Sequence, residues 1–376
     1  MNKFISFWLF IVFSSWLFLV PSKTLAYSPE YDIDLLIKTY NLKENSVALR
    51  ELDSWQKPKK VLVRVDSKER LDWMQEVAPN VELIGVSSSA EALEKVSDVD
   101  ALLGFCSEEL LDKGQQLKWV QIYGVGVDRC LKNKSLLNRN IILSNGKRLS
   151  GPQIAEHAIA LMFSLTRGLD QYHLAQIKGE WSNQVLPGSD AIWELSGRTM
   201  LVVGLGGIGT EVARRGHALG MKVIATRNSS RTGPDFVSYV GLSSELNKLA
   251  SQADVVINTV PLTKTTEGIF NNAFFKAMKN NAYFISIGRG KSTNADDLLA
   301  ALIAGELAGA GLDVTDPEPL PEGHALWKQP RVIITPHIAW RSEKYSKRVW
   351  LVARENLRRY VAGEALLSQV DLLKGY

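Results

Sequence analysis

Short apolar runs rich in valine, isoleucine and leucine recur along the chain, and turn residues bound each of them. The first series predicts β-strands at 61–65, 81–86, 101–105, 119–123 and 141–143. A second series predicts strands at 199–203, 222–226, 254–259, 282–287, 309–313 and 332–334. Segments with helical spacing fall between the runs, and this alternation is typical of a parallel sheet covered on both faces. The pattern predicts an α/β protein with two doubly wound parallel-sheet domains.

Two longer helices are predicted where the chain passes between these domains. Residues 151–170 contain QIAEHAIALMFSLTR, whose apolar positions recur at helical spacing, and Pro152 suits a helix start. Residues 342–362 carry one apolar stripe, formed by Trp350, Ala353, Leu357 and Val361. We expect this last helix to pack back on the first domain. A second domain at 151–335 would then be inserted into a discontinuous first domain made of 27–150 and 336–376.

The N-terminal segment has a separate character. Residues 4–20 hold fourteen apolar residues and three serines, and Lys3 precedes them. Thr24 and Ala26 follow with the spacing of a signal-peptidase site. The pattern predicts a signal peptide or a membrane anchor within residues 1–26. Because the positive end stays cytoplasmic, either reading places the rest of the chain outside the cytoplasm, exported or membrane-anchored.

Composition excludes several classes of protein. The 376 residues are 45% hydrophobic and 22% charged, which is ordinary for a globular chain. The net charge is +4, of which the two lysines of residues 1–26 supply half, so it is no sign of nucleic-acid binding. Cys106 and Cys130 are too few for a disulfide scaffold, and without a CxxC pair no metal site is predicted.

A glycine-rich stretch marks a phosphate site. Residues 201–209 read LVVGLGGIG and place Gly204, Gly206 and Gly209 at G-x-G-x-x-G spacing, after a strand and before a helix. The first glycine permits a tight turn, the second lets the backbone approach a pyrophosphate, and the third lets helix and strand pack closely. We expect this loop, including Gly207 and Ile208, to bind a dinucleotide in a Rossmann-like domain.

The end of the following strand indicates which dinucleotide is bound. NAD sites usually place a carboxylate there for the ribose 2′-hydroxyl. Here the sequence is KVIATRNSSRTG, with no carboxylate before Asp235. Arg227, Ser229 and Arg231 offer charged and polar groups that suit a 2′-phosphate. The sequence therefore favours NADP(H) over NAD(H).

A family resemblance extends over residues 99–340. Its motifs are GVGVD at 124–128, AEHAIALMFSLTR at 155–167, VVGLGGIG at 202–209, ISIGRG at 285–290, AGAGLDVTDPEPLP at 308–321 and ITPHIAW at 334–340. In this order they resemble the D-isomer-specific 2-hydroxyacid dehydrogenases, and DVTDPEPLP is similar to the glyoxylate/hydroxypyruvate reductases. The resemblance implies hydride transfer between a nicotinamide cofactor and a small 2-oxo or 2-hydroxy acid.

The same resemblance assigns roles to individual residues. Arg289 would hold the substrate carboxylate and polarise the ketone. His337 would donate the proton, and Glu318 would orient the imidazole and stabilise its protonated form. Asp313 would contact the nicotinamide carboxamide or its ribose. The backbone N–H groups of two further residues, Val125 and Gly126, would bind the substrate carboxylate.

Two residues depart from the pattern of the family. Ser286 stands where many relatives have asparagine, and Trp340 stands where a small residue is usual, so Trp340 could narrow or cover the substrate pocket. The resemblance also implies a homodimer through the helix at 153–167 and the dinucleotide domain.

A dinucleotide-sensing binding protein similar to the family's corepressors is the alternative function. Formate or phosphite oxidation is a third, although Glu318 argues against formate.

Overall fold

The computed structural model describes residues 32–186 and 192–376, which form two parallel sheets. The first sheet has the order β2-β1-β3-β4-β5, and all its neighbouring strands run parallel. Its strands are β1 (Lys60–Arg64), β2 (Glu82–Val86), β3 (Ala101–Leu103), β4 (Trp119–Gln121) and β5 (Ile142–Ser144).

The second sheet has seven strands in the order β12-β11-β10-β9-β6-β7-β8. They are β6 (Thr199–Val203), β7 (Lys222–Thr226), β8 (Tyr239–Gly241), β9 (Val255–Asn258), β10 (Ala282–Ser286), β11 (Leu307–Leu312) and β12 (Val332–Ile334). The strand order reverses between β6 and β9, and ligands bind such sheets beyond the carboxyl ends of the strands at this reversal. The predicted fold class, two doubly wound parallel-sheet domains, is confirmed. Strand β8 was not predicted, because three residues with one glycine give no periodic signal.

Helices cover the sheets. They are α1 (Ile33–Tyr40), α2 (Lys68–Gln75), α3 (Ser89–Lys95), α4 (Glu108–Lys113), α5 (Lys134–Asn138), α6 (Gly151–Thr166), α7 (Leu169–Ile177), α8 (Gly207–Ala218), α9 (Leu246–Ala250), α10 (Asn272–Ala277), α11 (Ala295–Ile303) and α12 (Glu343–Ala362). Their starts follow side-chain rules: Ser88, for example, accepts a hydrogen bond from the backbone of Glu91 at the start of α3.

Two helices pack on a different sheet from the one that holds the strand before them in the sequence. Helix α6 follows β5, yet Ala158 and Met162 are buried in one core with Val202 of the second sheet. Helix α12 follows β12, yet Leu357 and Tyr360 are buried in the core of the first sheet. The chain therefore crosses between the two sheets twice, at 145–150 and at 335–342, and both crossings pass the carboxyl edge of the second sheet.

A disulfide joins Cys106 to Cys130, whose Cα atoms are 5.5 Å apart. It ties the loop after β3 to the segment that follows residues 124–128. The sequence gives no sign of this pairing. The predicted signal peptide or anchor at 1–26 lies outside the described residues. Within the described ranges, no helix combines the length and the apolar character needed to cross a membrane.

Candidate active site

The glycine loop between β6 and α8 has a distinct geometry at each glycine. Gly204 has a φ of +97°, a left-handed conformation that favours glycine, and its N–H donates to the carbonyl of Thr226. A Cβ on Gly206 would meet no protein atom within 4 Å, so a ligand can approach the backbone there. A Cβ on Gly209 would overlap the Gly204 carbonyl oxygen, so helix α8 packs directly on the loop.

The first turn of α8 is open to an anion. The N–H groups of Gly207, Ile208 and Gly209 donate to no acceptor in the described part of the chain. The side chain of Ile208 is half-buried against the domain core and fixes this turn. Unpaired N–H groups and the positive end of a helix dipole bind phosphate. The loop and the helix start together fit the pyrophosphate of a dinucleotide.

The residues after β7 differ in exposure and in their hydrogen-bond partners. Arg227 is half-exposed, and its Nη1 donates to the carbonyl of Thr232 at 3.1 Å, while Ser229 is exposed. Arg231 is held instead by an ion pair of 2.6 Å with Glu245. The backbone N–H of Leu242, the Tyr239 hydroxyl and Arg231 together lower the pKa of Glu245 to about 2. In this structure Arg231 is therefore paired with Glu245, whereas Arg227 is not paired with a carboxylate, and the role of Arg231 at a phosphate stays a prediction.

Arg289 follows β10 and reaches toward the first domain. Its Nε donates to Oδ1 of Asp128 at 3.1 Å, and its Nη1 donates to the carbonyl of Gly288 at 2.9 Å. A Cβ on Gly126 would overlap the Arg289 guanidinium, so the two residues are in direct contact. Asp128 ends the GVGVD motif and is not among the site residues that the sequence predicts. Its carboxylate fixes the direction in which the guanidinium points.

The segment at 124–128 presents free backbone donors beside Arg289. The N–H groups of Val125 and Gly126 donate to no described residue. The carbonyl of Val125 accepts a hydrogen bond of 2.7 Å from the side chain of Asn145, and the carbonyl of Gly124 accepts one from the backbone of Gly146. The loop is thus anchored through its carbonyls and leaves its donors for an anion. Two N–H groups and a guanidinium suit a carboxylate.

A buried network supports the backbone of Arg289. The Nδ2 group of Asn258 donates to the hydroxyls of Ser286 and Ser292, at 3.0 and 2.8 Å. The Ser292 hydroxyl in turn donates to the carbonyl of Arg289 at 2.6 Å. Ser286, one of the departures in the sequence, thereby has a structural partner. Asn258 is fully buried and was not predicted, since a lone asparagine at a strand end gives no signal.

His337 and Glu318 meet although nineteen residues separate them. The Nδ1 atom of His337 lies 2.6 Å from Oε1 of Glu318, and more than a third of each side chain is exposed. The Nε2 atom of the same ring makes no hydrogen bond with any residue the structure describes. An imidazole held by a carboxylate at one nitrogen can transfer a proton at the other.

The loop that carries His337 is held by Asp313. This carboxylate is buried, and it accepts hydrogen bonds from the Thr335 hydroxyl and from the N–H groups of Ile338 and Ala339, at 2.7, 2.9 and 3.1 Å. His157 on α6, which was not predicted, lies 2.9 Å from the same Thr335 hydroxyl. The resemblance assigned Asp313 to the cofactor. In the structure the buried Asp313 carboxylate binds the backbone of this loop, and its contact with the cofactor stays a prediction.

Trp340 closes the same loop. Its indole N–H donates to the carbonyl of His337 at 3.0 Å, and its ring packs edge-on against Tyr345. The Tyr345 hydroxyl donates to the carbonyl of Tyr123, directly before the segment at 124–128. Trp340 is therefore an anchor for the backbone of His337.

The predicted site residues of the second sheet thus follow the carboxyl ends of β6, β7, β10, β11 and β12, and Val125 and Gly126 lie in the segment at 124–128 of the first domain. No cluster of metal-ligating side chains is found among residues 32–186 and 192–376. The site offers a phosphate-binding loop, a carboxylate-binding arginine and a histidine–carboxylate pair. This combination suits transfer of a hydride and a proton to a carbonyl group.

Comparison with known proteins identifies the family. Residues 159–339 match the family model for the NAD-binding domain of the D-isomer-specific 2-hydroxyacid dehydrogenases. The chain is 30% identical to a glyoxylate reductase from Korarchaeum cryptofilum, over 82% of this chain and 91% of that protein. It is 33% identical to glyoxylate/hydroxypyruvate reductase A from Citrobacter koseri, over 71% and 84% of the two chains.

The solved structures agree with this comparison. An NADPH-dependent glyoxylate/hydroxypyruvate reductase from Sinorhizobium meliloti, in complex with NADP and sulfate, superposes with a TM-score of 0.72. It is 27% identical, and the alignment covers 85% of this chain and all of that one. The resemblance inferred from the sequence is confirmed: the chain belongs to the D-isomer-specific 2-hydroxyacid dehydrogenase family and is an NAD(P)-dependent oxidoreductase.

Proposed function

We propose that this enzyme reduces a small 2-oxo acid of the glyoxylate or hydroxypyruvate type to the corresponding D-2-hydroxy acid. The observation that carries the proposal is the 2.6 Å contact between His337 and Glu318, which leaves Nε2 of the imidazole as a proton donor. Relatives named glyoxylate reductase and glyoxylate/hydroxypyruvate reductase support the substrate class.

The residues of the chain divide the work as follows. The glycine loop and the first turn of α8 would hold a reduced nicotinamide dinucleotide, which would provide the hydride for the carbonyl carbon. The N–H groups of Val125 and Gly126 and the guanidinium of Arg289 bind the substrate carboxylate, and Arg289 also polarises the carbonyl oxygen. The proton on Nε2 of His337 passes to that oxygen, which becomes the hydroxyl. Glu318 stabilises the imidazolium before the transfer and keeps the ring in place.

A panel of 2-oxo acids tests this function. The purified protein is mixed with NADPH or NADH and with glyoxylate, hydroxypyruvate, pyruvate or a bulky 2-oxo acid, and loss of the absorbance of the reduced nicotinamide is followed. We expect turnover with glyoxylate and with hydroxypyruvate, and a D-configured product from hydroxypyruvate. Dinucleotide binding without turnover of any acid in the panel would instead support the sensing function.

We also propose that the enzyme prefers NADP(H), because the segment directly after β7 carries Arg227 and has no carboxylate of its own before Asp235. Arg227→Ala is expected to raise KM for NADPH about tenfold or more, since a charged hydrogen bond is lost, and to leave KM for NADH within about twofold. Arg231→Ala is the matched control with a smaller effect on NADPH, since Glu245 pairs with Arg231. Steady-state kinetics with both cofactors measure this, and an equal response of both would contradict it.

A homodimer is a further part of the proposal. The segment on and after α7 leaves large apolar side chains exposed, and Trp181 is fully accessible. Such a surface favours association with another chain. Ile177→Asp is expected to shift sedimentation from dimer to monomer at micromolar concentration, whereas Ile303→Asp, at an exposed site on α11, leaves the dimer intact. A wild-type monomer at every concentration would contradict the proposal.

A further inference from the structure

The crossing between β5 and α6 lies over the first turn of α8. The Cγ atom of Arg148 is 3.0 Å from the place where a Cβ on Gly207 would lie. A Cβ on Gly151 would lie 3.5 Å from the Gly207 carbonyl oxygen. The stem of Arg148 thus occupies the space in which a side chain at Gly207 would begin. Because Gly207 has none, an arginine from the crossing can stand at the start of this helix.

The guanidinium of Arg148 is unpaired within the part of the chain that the structure describes. It makes no hydrogen bond or ion pair with residues 32–186 or 192–376, although the residue is half-buried. Its charged neighbour is the ammonium of Lys147, which has the same sign. Burial and the nearby Arg148 together lower the pKa of Lys147. Lys147 lies near the carboxylate of Asp371 and the ring of Tyr376. The half-buried guanidinium of Arg148 has no such counter-charge among the described residues, and it therefore suits an anion.

The backbone at Arg148 is held in a left-handed conformation. Arg148 has a φ of +73°, a conformation that costs energy in a residue with a side chain and is found where the surrounding structure imposes it, as at binding sites. Two residues further on, the buried hydroxyl of Ser150 has no hydrogen-bond partner among the residues described. The crossing therefore carries an unpaired guanidinium whose stem lies beside Gly207 and, two residues further on, an unsatisfied buried hydroxyl.

We propose that Arg148 binds the pyrophosphate of the dinucleotide, together with the N–H groups of the first turn of α8. The inference rests on the proposed cofactor site in the glycine loop and adds to it a charged residue from outside the loop. The α8 turn itself supplies no side-chain cation, since Gly207, Ile208 and Gly209 carry none. The pyrophosphate is common to NADH and NADPH, so Arg148 acts on both, in contrast to Arg227.

Direct binding of dinucleotides tests the assignment without relying on activity. The full-length protein and its Arg148→Met variant are titrated with NADPH, NADH and ADP, and Kd is measured by calorimetry. We expect the variant to bind all three about ten- to a hundredfold more weakly. Arg148→Lys keeps the charge and is expected to recover part of this loss. Arg214→Met removes the same charge from a later turn of α8 and should leave Kd unchanged.

The outcomes separate this inference from the proposed function. If the wild type binds none of the three ligands, the cofactor site in the glycine loop is wrong. If the wild type binds them and Arg148→Met binds them equally well, only the role of Arg148 is wrong. A loss confined to NADPH would place Arg148 at the 2′-phosphate and overturn the pyrophosphate assignment. Should Arg148→Met fail to fold, Arg148→Lys and the salt dependence of wild-type Kd provide the measurement.

Discussion

His337→Gln is expected to lower kcat for the preferred 2-oxo acid by about a hundredfold or more, the usual contribution of a general acid. Glutamine occupies a similar volume and can still hydrogen-bond Glu318, but it cannot carry the transferable proton. Binding of the cofactor does not use this residue. Kd for NADPH should therefore stay within about twofold, while steady-state kinetics show the loss in kcat.

The backbone conformation of His337 makes a second variant at this position necessary. His337 has a φ of +52°, and asparagine tolerates this region better than glutamine does. His337→Asn is expected to show the same loss with less disturbance of the loop. His217→Gln, on α8 and away from the predicted reacting atoms, is the matched control. A folded His337 variant that turns over at the wild-type rate would exclude the residue as proton donor.

Gly126→Ala is expected to lower kcat/KM for the 2-oxo acid by about a hundredfold. A Cβ at this position overlaps the Arg289 guanidinium, so either the arginine or the segment at 124–128 must move. Displacement of a positioning group by about 1 Å is enough for such a loss. The loss should not extend to the cofactor, and Kd for NADPH measured by calorimetry should match that of the wild type.

The chain offers a matched control two residues away. A Cβ on Gly124 would meet no protein atom within 4 Å, so Gly124→Ala leaves Arg289 in place. We expect its kcat/KM to remain within about fivefold of the wild type. The two variants add the same methyl group to the same loop. Equal losses in both would show that the flexibility of the loop, rather than contact with Arg289, determines the rate.

Much of the fold is written in local patterns. Of the twelve strands in the described residues, eleven produce apolar runs that the sequence predicts, because parallel strands buried on both faces need them. The glycine loop can also be predicted from the sequence, since each glycine of the motif has a steric reason for its position. His337 and Glu318 are brought together as the family resemblance implies, at 2.6 Å.

Other parts of the site depend on partners that sequence spacing does not reveal. Glu245 lies fourteen residues after Arg231, and only the position of β8 brings the two together. Asp128 reaches Arg289 across 161 residues of sequence. Long-range pairing of charged groups is set by the tertiary fold, which no local pattern encodes.

The second crossing has a consequence for biosynthesis. Helix α12 begins at Glu343, about two hundred residues after β5 ends at Ser144, yet it covers the first sheet with Leu357 and Tyr360. During vectorial translation the first sheet is complete long before its cover exists, and its apolar face stays open to the solvent. Nascent chains in this state are candidates for chaperone capture. A premature stop codon before α12 would therefore leave the first sheet uncovered, although that sheet is encoded far upstream of the stop.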